Sequence, residues 1–238
     1  MGLMSIVSGK FSPLKIPGCT LWLEADRGIT LVDGKVSAWA DQSGNGRHAI
    51  QGAVDNRPTY ATNQLNGYPA MQSAEGKGLQ IVDTGIVSLT ALTMILVFKA
   101  NDVTTNQVIL GTNTTGVAQI LNNTMRVYLD TGIGGDFAYT STATSILVLV
   151  FDGAQVGNEN RYKAFLNGEQ KALSFTGTVP DTFPTKTDLY IGAYTGLYDY
   201  CFTGLIVVPF LSFPSVLTSS RRQQIERHYS SKYAIALA

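Results

Sequence analysis

The segment 145–151 reads SILVLVF, a run of β-branched and other apolar residues after a single serine. A strand with one face in water alternates apolar and polar residues, and this segment does not alternate. Continuous apolar runs of this length are typical of strands that are buried on both faces. We therefore predict that 145–151 is an inner strand of a large sheet.

The segment 161–168, RYKAFLNG, follows it and does alternate. Tyr162, Ala164 and Leu166 fall on one face of a strand, because side chains two residues apart point the same way. Asn167-Gly168 is the strongest short signal for a hairpin turn, since both residues tolerate positive φ. The sequence therefore predicts a hairpin directly after the inner strand.

Similar segments rich in Val, Ile, Leu, Tyr and Thr recur along the chain, separated by Gly, Asn, Asp or Pro. Two more hairpin turns are predicted, at Asp33-Gly34 and at Asn66-Gly67. Many short strands with frequent turn signals predict an all-β sandwich or barrel. The strands are predicted near 20–25, 35–40, 68–72, 79–82, 92–99, 106–111, 117–121, 124–129, 136–140, 145–151, 161–167, 170–175, 188–193 and 201–211.

One helix is predicted, at 219–233 near the C-terminus. Ser220 followed three residues later by Gln223 forms a capping-box pattern at its start. Ile225, Tyr229 and Tyr233 then recur every four residues and form a narrow apolar stripe. We expect this stripe to dock the helix on the sandwich.

Charged residues make up 14% of the 238 residues, against roughly 25% in an average soluble domain. Seventeen basic residues balance seventeen acidic ones, and no basic cluster stands out. Nucleic-acid binding requires a concentrated positive surface, so we expect no nucleic-acid partner. The longest apolar runs are shorter than the ~18 residues of a spanning helix, so we expect no membrane insertion.

No internal repeat, linker or shift in composition divides the chain. We predict an N-terminal arm, 1–18, and one domain, 19–238, which includes the terminal helix. The N-terminus lacks the basic start and apolar core of a secretory signal, so synthesis in a cytoplasm is expected. Cys19 and Cys201 are expected to be reduced and buried, and their pairing is the alternative if the terminal strands are neighbours.

The stretch AWADQSGNGRHAIQ, 38–51, concentrates turn-forming residues. Asp41, Ser43 and Asn45 can cap their own backbone, which favours a structural turn. The stretch lacks the alternating acids and final Glu of an EF-hand loop, and the Lys and following helix of a phosphate-binding loop. A calcium ion held by Asp41 and loop carbonyls is the alternative, and no other cofactor is predicted.

Catalytic patterns are weak in this chain. A glycosidase needs two carboxylates roughly 5–10 Å apart across a cleft, and only Glu24 and Asp26 share a strand face at a suitable spacing. We expect them instead to end a strand and open a turn. His48 and His228 have no Cys, His or carboxylate company at metal-site spacing, and His228 is expected on the solvent side of the helix. The chain is therefore predicted not to be an enzyme.

The stretch GAYTGLYDYCF, 192–202, carries the predicted ligand-binding site, formed by Tyr194, Tyr198, Asp199 and Tyr200. Aromatic faces stack on sugar rings and a carboxylate accepts hydrogen bonds from sugar hydroxyls, which favours a glycan. Tyr is also enriched in protein interfaces, so a protein ligand fits the same residues. Tyrosines that only cover an edge of the sandwich are the third interpretation.

The order of these segments resembles the laminin-G-like, concanavalin A-like jelly-roll superfamily, in the form found in phage and bacterial proteins. The resemblance begins at PLKIPGCTLWLEADRGIT and ends at FTGLIVVPFLSFPSVLTSSRRQQIERHYSSKY, and it covers nearly the whole chain. It implies a two-sheet antiparallel jelly-roll sandwich with a short C-terminal helix. Relatives that hydrolyse glycans carry a Glu-x-Asp-x-x-Glu strand, whereas here Ile29 stands in place of the second Glu.

Three functional hypotheses follow, and the third is a hydrolase whose site these sequence patterns do not reveal. The first is a non-enzymatic bacteriophage virion protein, for capsid decoration or the tail, with other virion proteins as partners. Low charge, the missing signal peptide, the single domain and the arm favour it, and a homo-oligomer such as a trimer would suit it. The second is a carbohydrate-binding module that attaches to cell-surface glycans through the 192–202 stretch.

Overall fold

The computed structural model of the chain describes residues 11–193 and 200–238, and only the backbone of 207–209. It contains 18 strands and two α-helices within these ranges. The strands are β1 Leu21–Glu24, β2 Ile29–Val32, β3 Lys35–Trp39, β4 Ala49–Ile50, β5 Thr59–Leu65, β6 Tyr68–Ser73, β7 Leu79–Ile86, β8 Ala91–Ala100, β9 Gln107–Gly111, β10 Gly116–Ile120, β11 Thr124–Asp130, β12 Ile133–Ala138, β13 Ser145–Asp152, β14 Tyr162–Leu166, β15 Glu169–Lys171, β16 Ser174–Thr176, β17 Lys186–Ile191 and β18 Gly204–Phe213; the helices are α1 Asn158–Arg161 and α2 Ser219–Tyr233.

The strands form two packed layers in which every strand pairing is antiparallel. The first sheet contains β5, β6, β1, β18, β8, β13, β14 and β15. The second sheet contains β2, β3, β4, β7, β17, β9, β10, β11, β12 and β16. A pairing of Lys35 with Thr59 joins the two sheets at one corner. The predicted all-β sandwich with a C-terminal helix is confirmed.

The inner-strand prediction for 145–151 is also confirmed. Strand β13 lies between β8 and β14, and its residues up to Phe151 are buried on both faces. Leu147 and Leu149 face the core between the sheets, whereas Ile146 and Val148 face α2. The absence of alternation in this segment therefore reflects two apolar layers, one on each side of the first sheet.

The three predicted hairpin turns are present. Asn167 and Gly168 have φ of 50° and 89° between β14 and β15. Asn66-Gly67 and Asp33-Gly34 also have positive φ at both positions, between β5 and β6 and between β2 and β3. This geometry matches the twist of the flanking strands, which explains the preference for Asn or Asp followed by Gly.

Three strands were not predicted, and one predicted strand is divided. Strands β2, β4 and β5 are short or largely exposed, so they lack the apolar signal of a core strand. The predicted strand 170–175 is two strands, because β15 pairs with β14 in the first sheet and β16 pairs with β12 in the second. The chain therefore crosses between the sheets at 172–173.

Helix α2 has the predicted bounds, but its predicted cap is wrong. Thr218 is the N-cap, and its side chain accepts a hydrogen bond of 3.4 Å from the backbone N–H of Arg221. Ser220 lies inside the first turn, where its backbone is already helical and cannot adopt the extended cap conformation. The predicted stripe is confirmed, since Ile225, Tyr229 and Tyr233 are buried against the first sheet.

Part of the predicted arm contacts the domain. Ile16 is buried in the apolar cluster beneath α2, and Phe11 and Cys19 pack against the same cluster. Cys201 lies in a separate small cluster, and no disulfide joins it to Cys19. The boundary of the arm at residue 18 stays a prediction. No helix in the described parts of the chain is both long and apolar enough to cross a membrane.

Candidate functional site

The Asp41 stretch is a structural turn. Oδ1 of Asp41 accepts hydrogen bonds from the backbone N–H groups of Trp22 at 2.9 Å and Ser43 at 2.8 Å. Its Oδ2 accepts from the Ser43 hydroxyl at 2.7 Å and the Arg47 N–H at 3.1 Å. The Asp41 N–H in turn donates to Nδ1 of His48 at 3.0 Å. Both carboxylate oxygens thus hold the turn in place, and calcium binding stays an untested prediction.

Glu24 is the centre of a buried polar cluster between β1 and α2. It ends β1 and is only 3% exposed. Its Oε2 accepts hydrogen bonds from Nε1 of Trp22 at 2.7 Å and from the Tyr229 hydroxyl at 2.9 Å. The Tyr233 hydroxyl donates to its Oε1 at 3.3 Å. Burial, followed by the charge of Glu24, raises the pKa of Tyr229 well above its usual value, so this phenol stays a donor.

Lys232 joins the two carboxylates that the glycosidase pattern would use. Its ammonium group binds Oε1 of Glu24 at 2.5 Å and Oδ2 of Asp26 at 3.0 Å, and its side chain is 10% exposed. The backbone N–H of Arg27 donates to the Glu24 carbonyl at 3.0 Å, so the expected turn after β1 is confirmed. One ammonium group therefore bridges both carboxylates, of which Glu24 is buried and Asp26 is 30% exposed.

A cleft of about 450 Å³, called the helix cleft here, lies above this cluster. Its walls come from the chain before β1, from β1 and the turn after it, from the turn between β5 and β6, and from α2. The lining residues are Phe11, Pro13, Trp22, Glu24, Asp26, Arg27, Asn66, Tyr68, His228, Ser231 and Lys232.

His228 lines this cleft, so the expectation that it faces solvent is wrong. The ring is half-buried, with its centroid 4.4 Å from that of Phe11 and 4.7 Å from that of Tyr229. Burial lowers the pKa of His228, and Lys232 lowers it further, while Glu24 and Asp26 oppose this effect. Within 11–193 and 200–238, no three His, Cys, Asp or Glu side chains are grouped so as to hold a metal ion.

The predicted ligand site at 192–202 is described only in part. Tyr194, Tyr198 and Asp199 lie outside the described residues. Tyr200 is 54% exposed and has a positive φ of 56°. Its carbonyl accepts a hydrogen bond of 2.6 Å from the N–H of Val108, which attaches this end of the loop to β9. The ring is therefore presented to solvent from a fixed backbone.

Tyr200 borders a second cleft, of about 240 Å³, called the Tyr200 cleft here. It lies on the outer face of the second sheet, over β9, β10 and β11. The lining residues are Val108, Thr114, Thr115, Gly116, Gln119, Arg126, Tyr128, Thr131, Gly132 and Tyr200. Hydroxyl, amide and guanidinium groups thus lie beside two phenol rings, which is a lining that suits a polar ligand with flat apolar faces.

Arg126 is held in the Tyr200 cleft by two neighbouring side chains. Its guanidinium donates to both carboxylate oxygens of Asp136 on β12, each at 3.3 Å. The same group lies 4.9 Å from the ring centroid of Tyr128. Gly134 on β12 leaves room for this ring, because a Cβ there would lie 2.5 Å from it. The guanidinium is therefore held by a carboxylate and a ring, with its edge partly exposed.

Sequence reasoning did not identify Gln119, Arg126, Tyr128 or Asp136. Arg126 and Tyr128 lie two residues apart on a predicted strand, which places them on one face and was a usable signal. Asp136 lies directly opposite Arg126 in the β11–β12 pairing. That register was not available from the sequence, because β12 begins three residues earlier than the predicted strand at 136–140.

No family model and no curated protein matches this chain. Solved structures do match it. Domain 4 of the extracellular GH43 arabinanase AbnA from Geobacillus stearothermophilus, in complex with arabinotriose, has a TM-score of 0.56 and 19% identity. That match covers 88% of this chain and 98% of the other.

Two further structures are parts of larger proteins. Trypanosoma rangeli sialidase, in complex with 2,3-difluorosialic acid, has a TM-score of 0.54 and 14% identity, over 93% of this chain and 34% of that chain. The receptor-binding domain of botulinum neurotoxin D has a TM-score of 0.59 and 11% identity, over 89% and 53%. This chain therefore spans about a third of the length of the sialidase chain and about half of the length of the neurotoxin chain. At such identities the likeness shows a shared β-sandwich fold.

Proposed function

We propose that this protein is a non-catalytic glycan-binding module and that the Tyr200 cleft is its binding site. The observation that carries the proposal is the exposed Tyr200 ring beside the ordered Arg126–Asp136 pair on one sheet face. A sugar ring offers CH faces for the phenol and hydroxyls for the guanidinium and for the side-chain oxygen of Gln119, whose N–H₂ group donates to Asn106.

The fold supports this proposal. The arabinanase domain that shares it was determined with arabinotriose, and another chain that shares it is a receptor-binding domain. The absence of catalysis is supported by the ion pairs of Glu24 and Asp26, because the ammonium group of Lys232 bridges the two carboxylates. Neither carboxylate lines the Tyr200 cleft.

A titration of the ¹⁵N-labelled protein with a glycan panel that includes arabinotriose tests the proposal, with and without calcium. We expect a bound glycan to shift amide signals of residues 114–119, 126–131 and 200. Arg126→Met should weaken binding about tenfold or more, because a hydrogen bond to a charged group is lost. Arg221→Met is the matched control, since this exposed arginine on α2 does not line the cleft.

Two substitutions at Tyr200 separate stacking from hydrogen bonding. Tyr200→Phe keeps the ring and should leave the dissociation constant within a few-fold, whereas Tyr200→Ala should raise it about tenfold. If no glycan in the panel shifts these signals at millimolar concentration, with or without calcium, the glycan-binding proposal is wrong. If Arg221→Met weakened glycan binding as much as Arg126→Met, the binding site would not lie in the Tyr200 cleft.

The bacteriophage virion role stays a prediction, as do the virion location, the virion partners and the homo-oligomer. The virion role requires the N-terminal arm, whereas the glycan-binding role requires the Tyr200 cleft. Deletion of 1–10, which keeps the buried Ile16 and the packed Phe11, should prevent co-sedimentation with particles if the arm is an anchor, and it should leave glycan binding at the Tyr200 cleft intact.

A further inference from the structure

We propose that the helix cleft is a second saccharide-binding site, which takes an uncharged mono- or disaccharide. This second proposal rests on the proposed function only for the class of ligand. No residue of the helix cleft lines the Tyr200 cleft. The size and rigidity of the cleft, its open polar groups, its aromatic walls and its charge balance support such a ligand.

The cleft has the size and rigidity of a ligand site. Its volume of about 450 Å³ lies within the roughly 300–1,000 Å³ that is usual for small-molecule sites. Its floor is fixed by the Glu24 cluster described above. The side-chain N–H₂ of Asn66 donates to the Lys232 carbonyl at 2.9 Å, which attaches the β5–β6 turn to α2. The walls are therefore positioned before any ligand arrives, which lowers the entropic cost of binding.

Several polar groups at the rim have no partner among the described residues. The guanidinium of Arg27 makes no ion pair or hydrogen bond there, and lies 5.5 Å from the ring centroid of Trp22. Oδ1 of Asp26 and the hydroxyl of Ser231 are likewise without partners in the described ranges, although Oδ2 of Asp26 binds Lys232. An open guanidinium, an open carboxylate oxygen and a hydroxyl together offer the donors and acceptors that neighbouring sugar hydroxyls require.

The aromatic walls complete the arrangement. Phe11 and His228 form a tilted pair, and the ring centroid of Tyr68 lies 4.7 Å from the Lys232 ammonium. Such rings provide flat apolar surface for the CH face of a pyranose or furanose. A purely apolar ligand fits less well, because it would leave Asp26 and Arg27 without water or partners.

The charge balance of the cleft selects an uncharged ligand. Glu24 and Asp26 contribute two negative charges, and Lys232 and Arg27 contribute two positive ones. Lys232 is already bound to both carboxylates, so it is not available to a carboxylate or phosphate of a ligand. An acidic sugar near Arg27 would also lie near the partly exposed Asp26, and this repulsion disfavours it.

A titration of the ¹⁵N-labelled protein with D-galactose, D-mannose, L-arabinose and lactose, with N-acetylneuraminic acid as the charged comparison, tests the proposal. We expect at least one neutral sugar to shift amides of 22–27, 66–68 and 228–232, with a dissociation constant at least tenfold lower than that of the acid. If none of these neutral sugars shifts these amides at millimolar concentration, or if the acid binds more tightly, the proposal is wrong.

Ser231→Trp and Arg27→Met localise the binding. Ser231 is exposed on α2, so a large side chain there should fill the cleft without disturbing the core. Ser231→Trp should abolish the shifts, whereas Ser220→Trp, at an exposed position of the same helix outside the cleft, should retain them. Arg27→Met should weaken binding about tenfold or more. Retention of full affinity in Ser231→Trp overturns the proposal.

The two sites can fail separately. Tyr200→Ala removes the ring of the Tyr200 cleft and should leave the shifts at 22–27, 66–68 and 228–232 unchanged. Shifts in these amides alone would support the helix cleft and contradict the Tyr200 cleft as the site. Shifts at 114–119, 126–131 and 200 alone would do the reverse.

Discussion

The hydroxyl of Tyr229 donates a hydrogen bond of 2.9 Å to Oε2 of Glu24, a residue that lies 205 positions earlier in the chain. This contact joins α2 to β1, and Tyr233 and Lys232 on the same helix bind the other carboxylate oxygen. Glu24 therefore acts as a buried acceptor that positions the helix against the first sheet. The same contacts form the floor of the helix cleft.

Glu24→Gln should lower the free energy of unfolding by about 2–4 kcal/mol, because the nearly buried Lys232 loses its one buried counter-charge and keeps only the partly exposed Asp26. Glu169→Gln is the matched control, since Glu169 is 57% exposed in its pair with Lys171 and should change stability by less than about 1 kcal/mol. Urea denaturation measures both. Equal unfolding midpoints for the two variants would show that the cluster does not stabilise the fold.

Thr218→Ala should cost about 1 kcal/mol, because the Arg221 N–H loses its cap. Ser220→Ala should be neutral or slightly stabilising, since Ser220 lies within the helix and Ala has the higher helix propensity. Thermal denaturation followed by circular dichroism compares the two. If Ser220→Ala lost more stability than Thr218→Ala, Ser220 would be the N-cap, as the sequence pattern indicated.

Gly153→Ala should destabilise the fold by at least about 2 kcal/mol. A Cβ on Gly153 would lie 1.8 Å from the backbone oxygen of Asp181, so the chain must move. Gly52→Ala provides the control, because a Cβ there meets nothing within 4 Å and should change stability by less than about 0.5 kcal/mol. A Gly153→Ala variant with wild-type stability would mean that the Asp181 segment adapts without cost.

His228 should make stability fall in mild acid. Its pKa is lowered by burial and by Lys232 in the folded protein, whereas the unfolded chain takes up a proton below about pH 6.5. The unfolded chain therefore binds a proton more readily than the folded protein. The stability that is present above about pH 6.5 is lost as the pH falls toward the pKa of His228 in the folded protein. His228→Phe keeps a ring against Phe11 without a titrating group.

Unfolding free energies of the wild type and of His228→Phe, measured from pH 7.5 to 5, test this expectation. The wild type should lose stability relative to the variant as the pH falls, and the two should run parallel above pH 7. Glu24, Asp26 and Lys232 are present in both proteins, so the difference reports His228. An NMR titration that places the pKa of His228 at or above 6.5 would contradict the expectation.

The sandwich was predictable because its inner strands carry their own signal. In 145–151 the apolar run, and in 161–168 the alternation followed by Asn-Gly, each follow from local burial and turn geometry. Strand β2 gave no such signal, since its residues are mostly exposed at the edge of the second sheet. Local patterns report burial, and therefore an exposed edge strand leaves no pattern to find.

The candidate sites depended on contacts between distant parts of the chain. The sequence showed Glu24 and Asp26 but not Lys232, which lies more than 200 positions later. It showed Tyr200 but not Arg126 or Asp136, because their pairing depends on the β11–β12 register. The chemistry of these residues could be recognised from the sequence, whereas their partners required the structure.

Strand β18 has a consequence for how the protein is made. It is the last strand of the chain, yet β1, β6 and β8 all pair with it. During synthesis from the N-terminus, these strands leave the ribosome with unpaired edges until residue 213 follows. The first sheet can therefore close only after residue 213 has been translated, and such long-range pairing is typical of proteins that fold in milliseconds to seconds. The strand edges of the first sheet are exposed until then, and a chaperone would be most useful during this period.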